Sequence, residues 1–316
     1  TLLPRPLGLR ALSRGCGART YSTASNVVNI VEVGPRDGLQ NEKGIIPVSV
    51  KAELVSCLGR AGVEIIEAGS FISPKWVPQM AGTADVLLQA ERFRNVRYPV
   101  LVPNQKCLDA VAALLTKHSV SPPLTHEISI FAAATDAFTR ANLNTTTAES
   151  LERLAPVVAA ALDRGLRVRG YVSVVIACPY SGQVDYVRVR DVAKALIDMG
   201  CYEVSLGDTV GMGTLTQVSE MLEEVKKSIP VANHGVRTID ASVGGLGGCP
   251  YSPGATGNVV TEDYHVYGTA DGIVDLDQMV DIGWWISEQL GRESTNRAGR
   301  AIRARRRREA QAKAKL

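Results

Sequence analysis

The run Val27-Val28-Asn29-Ile30-Val31-Glu32-Val33 closes in Gly34-Pro35-Arg36-Asp37-Gly38-Leu39-Gln40. Its first part is β-branched and reads as a buried strand. Its second part is a tight turn, built on Gly34, Pro35 and Gly38. A dinucleotide-binding unit would open here with Gly-x-Gly-x-x-Gly, and that pattern is absent. An Arg beside an Asp stands at the C-terminal end of the strand instead, which is where a β/α-barrel keeps its chemistry.

Six further β-branched runs follow: Val63–Glu67, Arg97–Val102, Glu127–Phe131, Arg167–Val175, Tyr202–Leu206 and Arg237–Val243, with starts 30 to 40 residues apart. Helix-like stretches lie between them. In Val50–Ala61, residues Leu54, Val55, Leu58 and Ala61 share one face, and Gly62 follows as a stop. Repeated strand–helix units predict a parallel sheet with helices outside it. Polar residues gather at the C-terminal ends of several strands, so the expected fold is α/β, a TIM-type (β/α)8 barrel over residues 27–295. Such a barrel wants eight strands, and only seven runs are present.

The 316 residues are 45% apolar but only 5% aromatic, so aliphatic side chains must fill the core, as under parallel strands. No apolar run approaches a bilayer span, so a soluble protein without a membrane partner is expected. The formal net charge of +3 is unevenly placed. Residues 1–26 hold Arg5, Arg10, Arg14 and Arg19 and no acid, the composition of a mitochondrial transit peptide. That predicts location in the mitochondrial matrix. Residues 296–316 set nine cations against the single acid Glu309, which leaves the middle of the chain acidic. Without interleaved aromatics or a companion motif, this basic tail is expected to be a solvated helix and not a nucleic-acid-binding arm. Cys16, Cys57, Cys107, Cys178, Cys201 and Cys249 form no CxxC pair, so neither a disulfide framework nor a zinc site is expected, and a reducing compartment fits.

Four strand ends carry candidate chemistry. Arg36 and Asp37 pair a fixed cation with a hard oxygen ligand: the Arg can stabilise a developing oxyanion, and the Asp can hold Mg²⁺ or Mn²⁺. Glu67 ends an apolar run, in a position to act as acid or base or to orient Arg36. Asp208 stands between Gly207 and Gly211 after the sixth run. The last run enters the glycine-rich stretch Gly244–Tyr251, which reads as a loop able to close over a site. That loop carries the thiol of Cys249, a candidate proton donor, and Asn258 beyond it offers a carbonyl oxygen to a hard cation. The same residues also fit plainer roles: a surface ion pair at Arg36, a structural salt bridge at Glu67, a helix N-cap at Asp208 and a flexible linker after Val243. Cys178, before Pro179-Tyr180, reads as a small packed residue.

These segments together resemble the 3-hydroxy-3-methylglutaryl-CoA lyases over roughly residues 27–295. The resemblance is carried by VEVGPRDGLQNEK (31–43), SFISPKWVPQM (70–80), RGYVS (169–173), GCYEVSLGDTVGMGT (200–214) and GGLGGCPYSPGATGN (244–258). It implies metal-dependent cleavage of 3-hydroxy-3-methylglutaryl-CoA to acetyl-CoA and acetoacetate, a step of leucine degradation and ketone-body formation. It assigns Asp37 and Asn258 to the metal and Arg36 to the enolate or carbonyl oxygen. Glu67 and Asp208 support proton transfer, Cys249 protonates the departing carbon, and Gln40 and Lys43 bind the acyl-CoA substrate. A homodimer is implied as well.

One family feature is missing. The family carries His-x-His-Asp-Thr on its seventh strand, and both histidines bind the metal. This chain has only His118, His126, His234 and His265, none so spaced. The sequence passes from Ile229-Pro230-Val231-Ala232 to Asn233-His234-Gly235-Val236, and the second piece resembles the end of the helix after that strand. A strand and most of a helix, on the order of 25 residues, are therefore expected to be absent. The barrel should be short of one βα unit, with an open edge between its sixth and eighth strands. Metal binding should be impaired. His234 reads as a helix-end residue before Gly235. A shorter gap is expected at Asp263–Tyr264, and Leu115–Thr125 reads as a surface insertion. One alternative is a catalytically silent truncated or splice product that at most binds CoA. Another is a condensing synthase of the same barrel family, against which the Cys249 loop speaks.

Overall fold

β1 (Asn29–Glu32) has parallel neighbours on both sides. The computed structural model describes residues 28–229, 238–249, 252, 255, 257–263, 274–294 and 296–314. On one flank β1 pairs in register with β9 (Thr238–Ser242), from Asn29 opposite Thr238 to Glu32 opposite Ala241. On the other flank the Glu32 amide bonds Ile65 O at 2.9 Å, and Glu67 N bonds back to Glu32 O at 3.0 Å. The chain then enters β2 (Gly69–Ser70), and the wall continues through β3 (Val100–Leu101), β4 (Glu127–Ala133), β5 (Arg167–Ser173) and β8 (Glu203–Gly207), all parallel. A small antiparallel hairpin, β6 (Ala177–Cys178) with β7 (Gly182–Gln183), decorates the loop after β5. The wall is a β/α-barrel wall, and seven of its strands lie among the described residues.

Helices cover the outside for the reason the periodicity gave. α1 (Val48–Arg60) buries Leu54, Val55 and Leu58, and Gly62 takes a φ of 91° just beyond its end. Burying each such side chain stabilises the fold by about 1.5–3 kcal/mol. The other helices of the series are α2 (Thr83–Gln89), α3 (Gln105–Lys117), α4 (Asp136–Leu143), α5 (Thr147–Asp163), α6 (Tyr186–Met199) and α7 (Leu215–Lys226). α5 and α7 begin with capping boxes, Thr146 with Glu149 and Thr214 with Gln217. α8 (Leu276–Gln289) follows β9 and the short β10 (Val259–Val260), which pairs with β9 at Ala241 and Ser242.

Among the described residues the ladder is interrupted in one place. Among these residues β8 has a ladder partner on its β5 side only, and β9, paired with β1 on one edge and with the short β10 on the other, shares no ladder with it. Burial records the gap. β4 is buried at six of its seven positions, whereas all five residues of β8 and the first three of β9 are only partly buried. The break in the ladder lies between β8 and β9, and residues 230–237, which join α7 to β9, lie outside the described residues. His234, His265, Tyr264, the Ala232–Asn233 junction and the N-terminal segment 1–26 lie outside the described residues.

The basic tail forms α9 (Arg297–Lys313), exposed from Arg307 onward, as a solvated helix would be, but docked along its first part. Its inner face is docked. Ala298 and Ile302 are buried, Arg306 pairs with Asp281 at 2.6 Å and Asp277 at 2.8 Å, and Arg303 lies over the Trp284 ring at 4.2 Å. Apolar residues four apart and acids on α8 supply partners that a count of charges along the tail does not reveal.

Candidate active site

Arg36 is presented by a single π-type turn, Gly34–Gly38, that interrupts the chain straight after β1. The guanidinium is only 7% exposed. Its Nε donates to Glu67 Oε2 at 2.7 Å, and its Nη1 donates to Asp37 Oδ1 at 2.6 Å. Burial works against the charge, but Glu67, Asp37 and Tyr171 outweigh it and hold Arg36 protonated more firmly than in water. Glu67 is fully buried, and burial pushes its carboxyl up, partly offset by Arg36 and by the Ser129 hydroxyl, which donates to Oε1 at 2.8 Å. The plainer reading, a surface ion pair, does not hold: Arg36 is buried and clamped on two sides.

A second group in the barrel interior was not singled out from sequence. The Tyr171 hydroxyl donates to Glu67 Oε2 at 3.1 Å and accepts from Arg169 Nη1 at 3.0 Å. Arg169 also donates through Nε to Glu203 at 2.7 Å, and its Nη1 stands 2.8 Å from Asp240 Oδ1. Ser205 donates to Asp240, and Thr238 donates to Glu203 at 3.0 Å. β8 and β9 therefore meet through side chains across the gap. The available signal was alternation: Arg169 and Tyr171 are two apart inside a β-branched run, on one face of β5.

The other candidates separate clearly. Asn258 comes to Asp37, with Nδ2 donating to Asp37 Oδ2 at 2.9 Å across 221 residues of sequence. Gly247 makes room for this contact: its φ is 153°, and an added Cβ would stand 2.7 Å from the Asn258 side chain. Gln40 and Cys249 line the same cavity as Arg36 and Asp37, and Gln40 Oε1 is buried without a hydrogen-bond partner. Asp208 also lines the cavity, but both carboxylate oxygens are held by the loop, from Gly211 N at 3.2 Å and Gly213 N at 2.7 Å. It is not the helix cap, a role that Thr214 fills. Lys43 is exposed and does not reach the cavity lining. Cys178 is buried as expected and accepts from Thr135 Oγ1 at 3.2 Å.

Two buried carboxylates grip the root of the glycine-rich loop. Glu32 accepts from Gly34 N and Val243 N, both at 2.9 Å, and from Thr261 Oγ1 at 2.6 Å. Glu262 accepts from Gly244 N at 3.0 Å and from Asn296 Nδ2 at 2.6 Å. Burial raises Glu32 to about 7 and Glu262 to about 8.

The cavity holds about 1860 Å³, more than the roughly 300–1,000 Å³ usual for a small-molecule site. Its lining runs from α7 residues Val218, Met221, Leu222 and Val225, with β8 and β9, round to residues of α3, α4 and α5.

A model of the HMGL-like family matches residues 27–234. The chain belongs to the HMGL-like family. The mitochondrial hydroxymethylglutaryl-CoA lyase of Rattus norvegicus is 43% identical over 321 residues, taking in 94% of this chain and 96% of that protein. The crystal structure of hydroxymethylglutaryl-CoA lyase from Pseudomonas aeruginosa superposes with a TM-score of 0.81 at 43% identity, covering 89% of this chain and 98% of that one. The hydroxymethylglutaryl-CoA lyase of Pseudomonas mevalonii is 44% identical, over 89% of this chain and 99% of that protein. These likenesses make the fold a TIM barrel and the chain a member of a carbon–carbon lyase family. The rat alignment is longer than the 316-residue chain, so the relative carries residues this chain lacks. The family model also stops at residue 234.

The metal-donor set is where the chain departs from its family. Asp37 and Asn258 meet, but among the described residues no group of three or more His, Cys, Asp or Glu side chains could hold a metal ion. The residues described do not fit a metal centre of the kind the family resemblance implies.

Proposed function

We propose that this chain is a hydroxymethylglutaryl-CoA lyase that retains its substrate machinery and has lost most of its turnover with its metal site. The observation that carries the reading is the meeting of Arg36, Asp37, Glu67 and Asn258 at the C-terminal ends of the strands, without a third metal donor among the described residues.

In the reaction, the tertiary hydroxyl of 3-hydroxy-3-methylglutaryl-CoA gives its proton to a carboxylate base, the part that family likeness assigns to Asp208 on the cavity wall. The bond between the carbinol carbon and the thioester α-carbon breaks. Its electron pair passes to the thioester carbonyl as an enolate, and the carbinol carbon becomes the ketone of acetoacetate. A proton delivered to the α-carbon completes acetyl-CoA. Arg36 serves the enolate oxygen: Glu67 and Asp37 fix it on two sides through Nε and Nη1, so it need not reorganise as charge develops. Glu67, backed by Ser129 and Tyr171, positions Arg36. Asp208 braces the loop at the mouth. Gln40 presents a buried acceptor to the substrate, and Cys249 delivers the proton to carbon. Geometry lends Lys43 no support. Mg²⁺ or Mn²⁺, the mitochondrial matrix and a homodimer complete the reading by family likeness.

The test is acetoacetate release from 3-hydroxy-3-methylglutaryl-CoA with Mg²⁺ or Mn²⁺. This chain is run beside a variant with the relatives' segment restored between Ala232 and Asn233. Turnover only in the restored variant, with CoA bound by both, is expected. Equal turnover overturns the reading.

A further inference from the structure

Helix α9 divides its arginines between two sides. Arg303 and Arg306 serve the docked side, the first over the Trp284 ring and the second on Asp277 and Asp281. Helical spacing puts Arg297, Arg300, Ala301, Ala304, Arg307 and Arg308 on the opposite side, and all six are exposed. Among the described residues no carboxylate pairs with Arg297, Arg307 or Arg308. Arg300 donates to Ser294 O at 3.1 Å and meets Glu293 only at 3.9 Å. The one acid of the helix, Glu309, lies off this side and faces Arg305 at 3.7 Å. The result is a strip of four arginines about 16 Å long, on a chain whose middle is acidic.

We propose that this outer side of α9 is a docking surface for an anionic lipid bilayer, held through the phosphate headgroups and adsorbed without insertion. Charge complementarity selects a phosphate-bearing partner, because the strip is made of guanidinium groups, which match phosphate geometry, and the acidic remainder of the chain turns away from such a surface. A flat partner fits because α8 covers the inner side of α9: a plane meets one side of a helix, whereas a nucleic-acid groove encloses it on two. The strip has no aromatic ring on which single-stranded bases could stack. Only Ala301 and Ala304 stand between the arginines, so a protein partner finds no apolar anchor and a bilayer no wedge. Contact through headgroups agrees with the described helices, none of which is long and apolar enough to cross a membrane. The proposal needs neither metal nor turnover and stands apart from the lyase reading.

The test mixes the full chain with phosphatidylcholine vesicles, with and without phosphatidylglycerol, and reads the bound fraction by flotation. Binding is expected only where phosphatidylglycerol is present, and it should weaken about 10-fold or more between about 50 and 200 mM salt. Changing Arg297, Arg300, Arg307 and Arg308 together to Gln should weaken it about 100-fold, while changing the same four to Lys should keep most of it, since the charge remains. Both variants leave the docked side intact, so their urea midpoints should match that of the unmodified chain and separate lost binding from lost fold. Equal binding to the neutral vesicles overturns the proposal, as does no binding to the anionic ones at the lower salt. Undiminished binding by the Gln variant places the contact elsewhere on the molecule, with the same consequence. Tighter binding to a duplex DNA or RNA oligonucleotide than to the vesicles, lost in the Gln variant, assigns the strip to nucleic acid and overturns it too.

Discussion

Arg36 and Glu67 form the most consequential pair at the scale of single residues. Both are buried, so removing one leaves the other's charge without compensation. Glu67→Ala is expected to destabilise the fold by about 3–5 kcal/mol in urea titration. A loss under about 1 kcal/mol would mean that the clamp is solvated and its contribution that of a surface pair. Glu32 and Glu262 give the second residue-scale prediction. Both carboxyls are raised in the folded state, to about 7 and about 8 from 4.5. The folded state therefore holds protons that the unfolded chain has released, and the associated stability is full below about pH 4.5 and lost as pH rises through 7 and 8. Each unit is worth about 1.4 kcal/mol, so these two groups weaken the fold by up to a few kcal/mol between about pH 5.5 and 8.5. Urea midpoints across that range measure it, and Glu262→Gln should flatten the upper part. A midpoint that climbs steadily to pH 8.5 in the unmodified chain would show that both groups stay ionised throughout.

Elements differ in how plainly the sequence announces them. α1 was legible because Leu54, Val55 and Leu58 keep helical spacing and Gly62 ends the helix. β1 and its Arg36–Asp37 turn were legible because the β-branched run stops at Gly34-Pro35. β2 and β3 were legible only as apolar runs. Their ladders are two residues long and rest on partners such as Val100 opposite Gly69, some 30 residues away. Within the site, the meeting of Arg36 with Glu67 and of Asp37 with Asn258 followed from placing polar residues at strand ends. The Arg169–Tyr171–Asp240 group lies inside the barrel, and no local spacing reveals which strand faces which across its interior. The docked face of α9 was hidden for the same reason, because its partners Asp277 and Asp281 are on another helix. The open wall makes a prediction at this scale. β4 and β5 are hydrogen-bonded on both sides, whereas β8 has one ladder among the described residues. Amides of Glu203 and Ser205 should exchange about 100-fold or more faster than those of Ile128 and Ile130, a gap of about 3 kcal/mol in opening free energy. Equal protection would require a ladder partner for β8.

Among the described residues the barrel wall has seven parallel strands besides the short β10, and β8 has a ladder partner on its β5 side only. Parallel walls resist this arrangement, because each strand's pleat and twist are shared with both neighbours and an unpaired edge leaves backbone groups to water. The described structure spans the opening with side chains: Ser205 to Asp240, Thr238 to Glu203 and Arg169 to both acids. Such contacts are individually worth about 0.5–3 kcal/mol, whereas a strand would add a double ladder and bury the apolar face of α7. Restoring the relatives' segment between Ala232 and Asn233 should therefore stabilise the molecule beyond any effect on catalysis. Part of that gain is offset by the entropy of ordering the added residues. A net increase of about 3 kcal/mol corresponds to a midpoint roughly 6–12 °C higher for a domain of this size. Metal gives an independent reading of the same change. A ligand that binds only the folded state adds stability in proportion to the logarithm of its concentration over its dissociation constant. In the restored variant, Mn²⁺ should raise the midpoint further and a chelator should reverse that increment. In the present chain, with no group of three or more His, Cys, Asp or Glu donors among the described residues, Mn²⁺ should leave the midpoint where it was. A restored variant that melts with the unmodified chain would mean that the wall is already closed. One that melts higher but ignores Mn²⁺ would mean that the segment completes the barrel without completing a metal site.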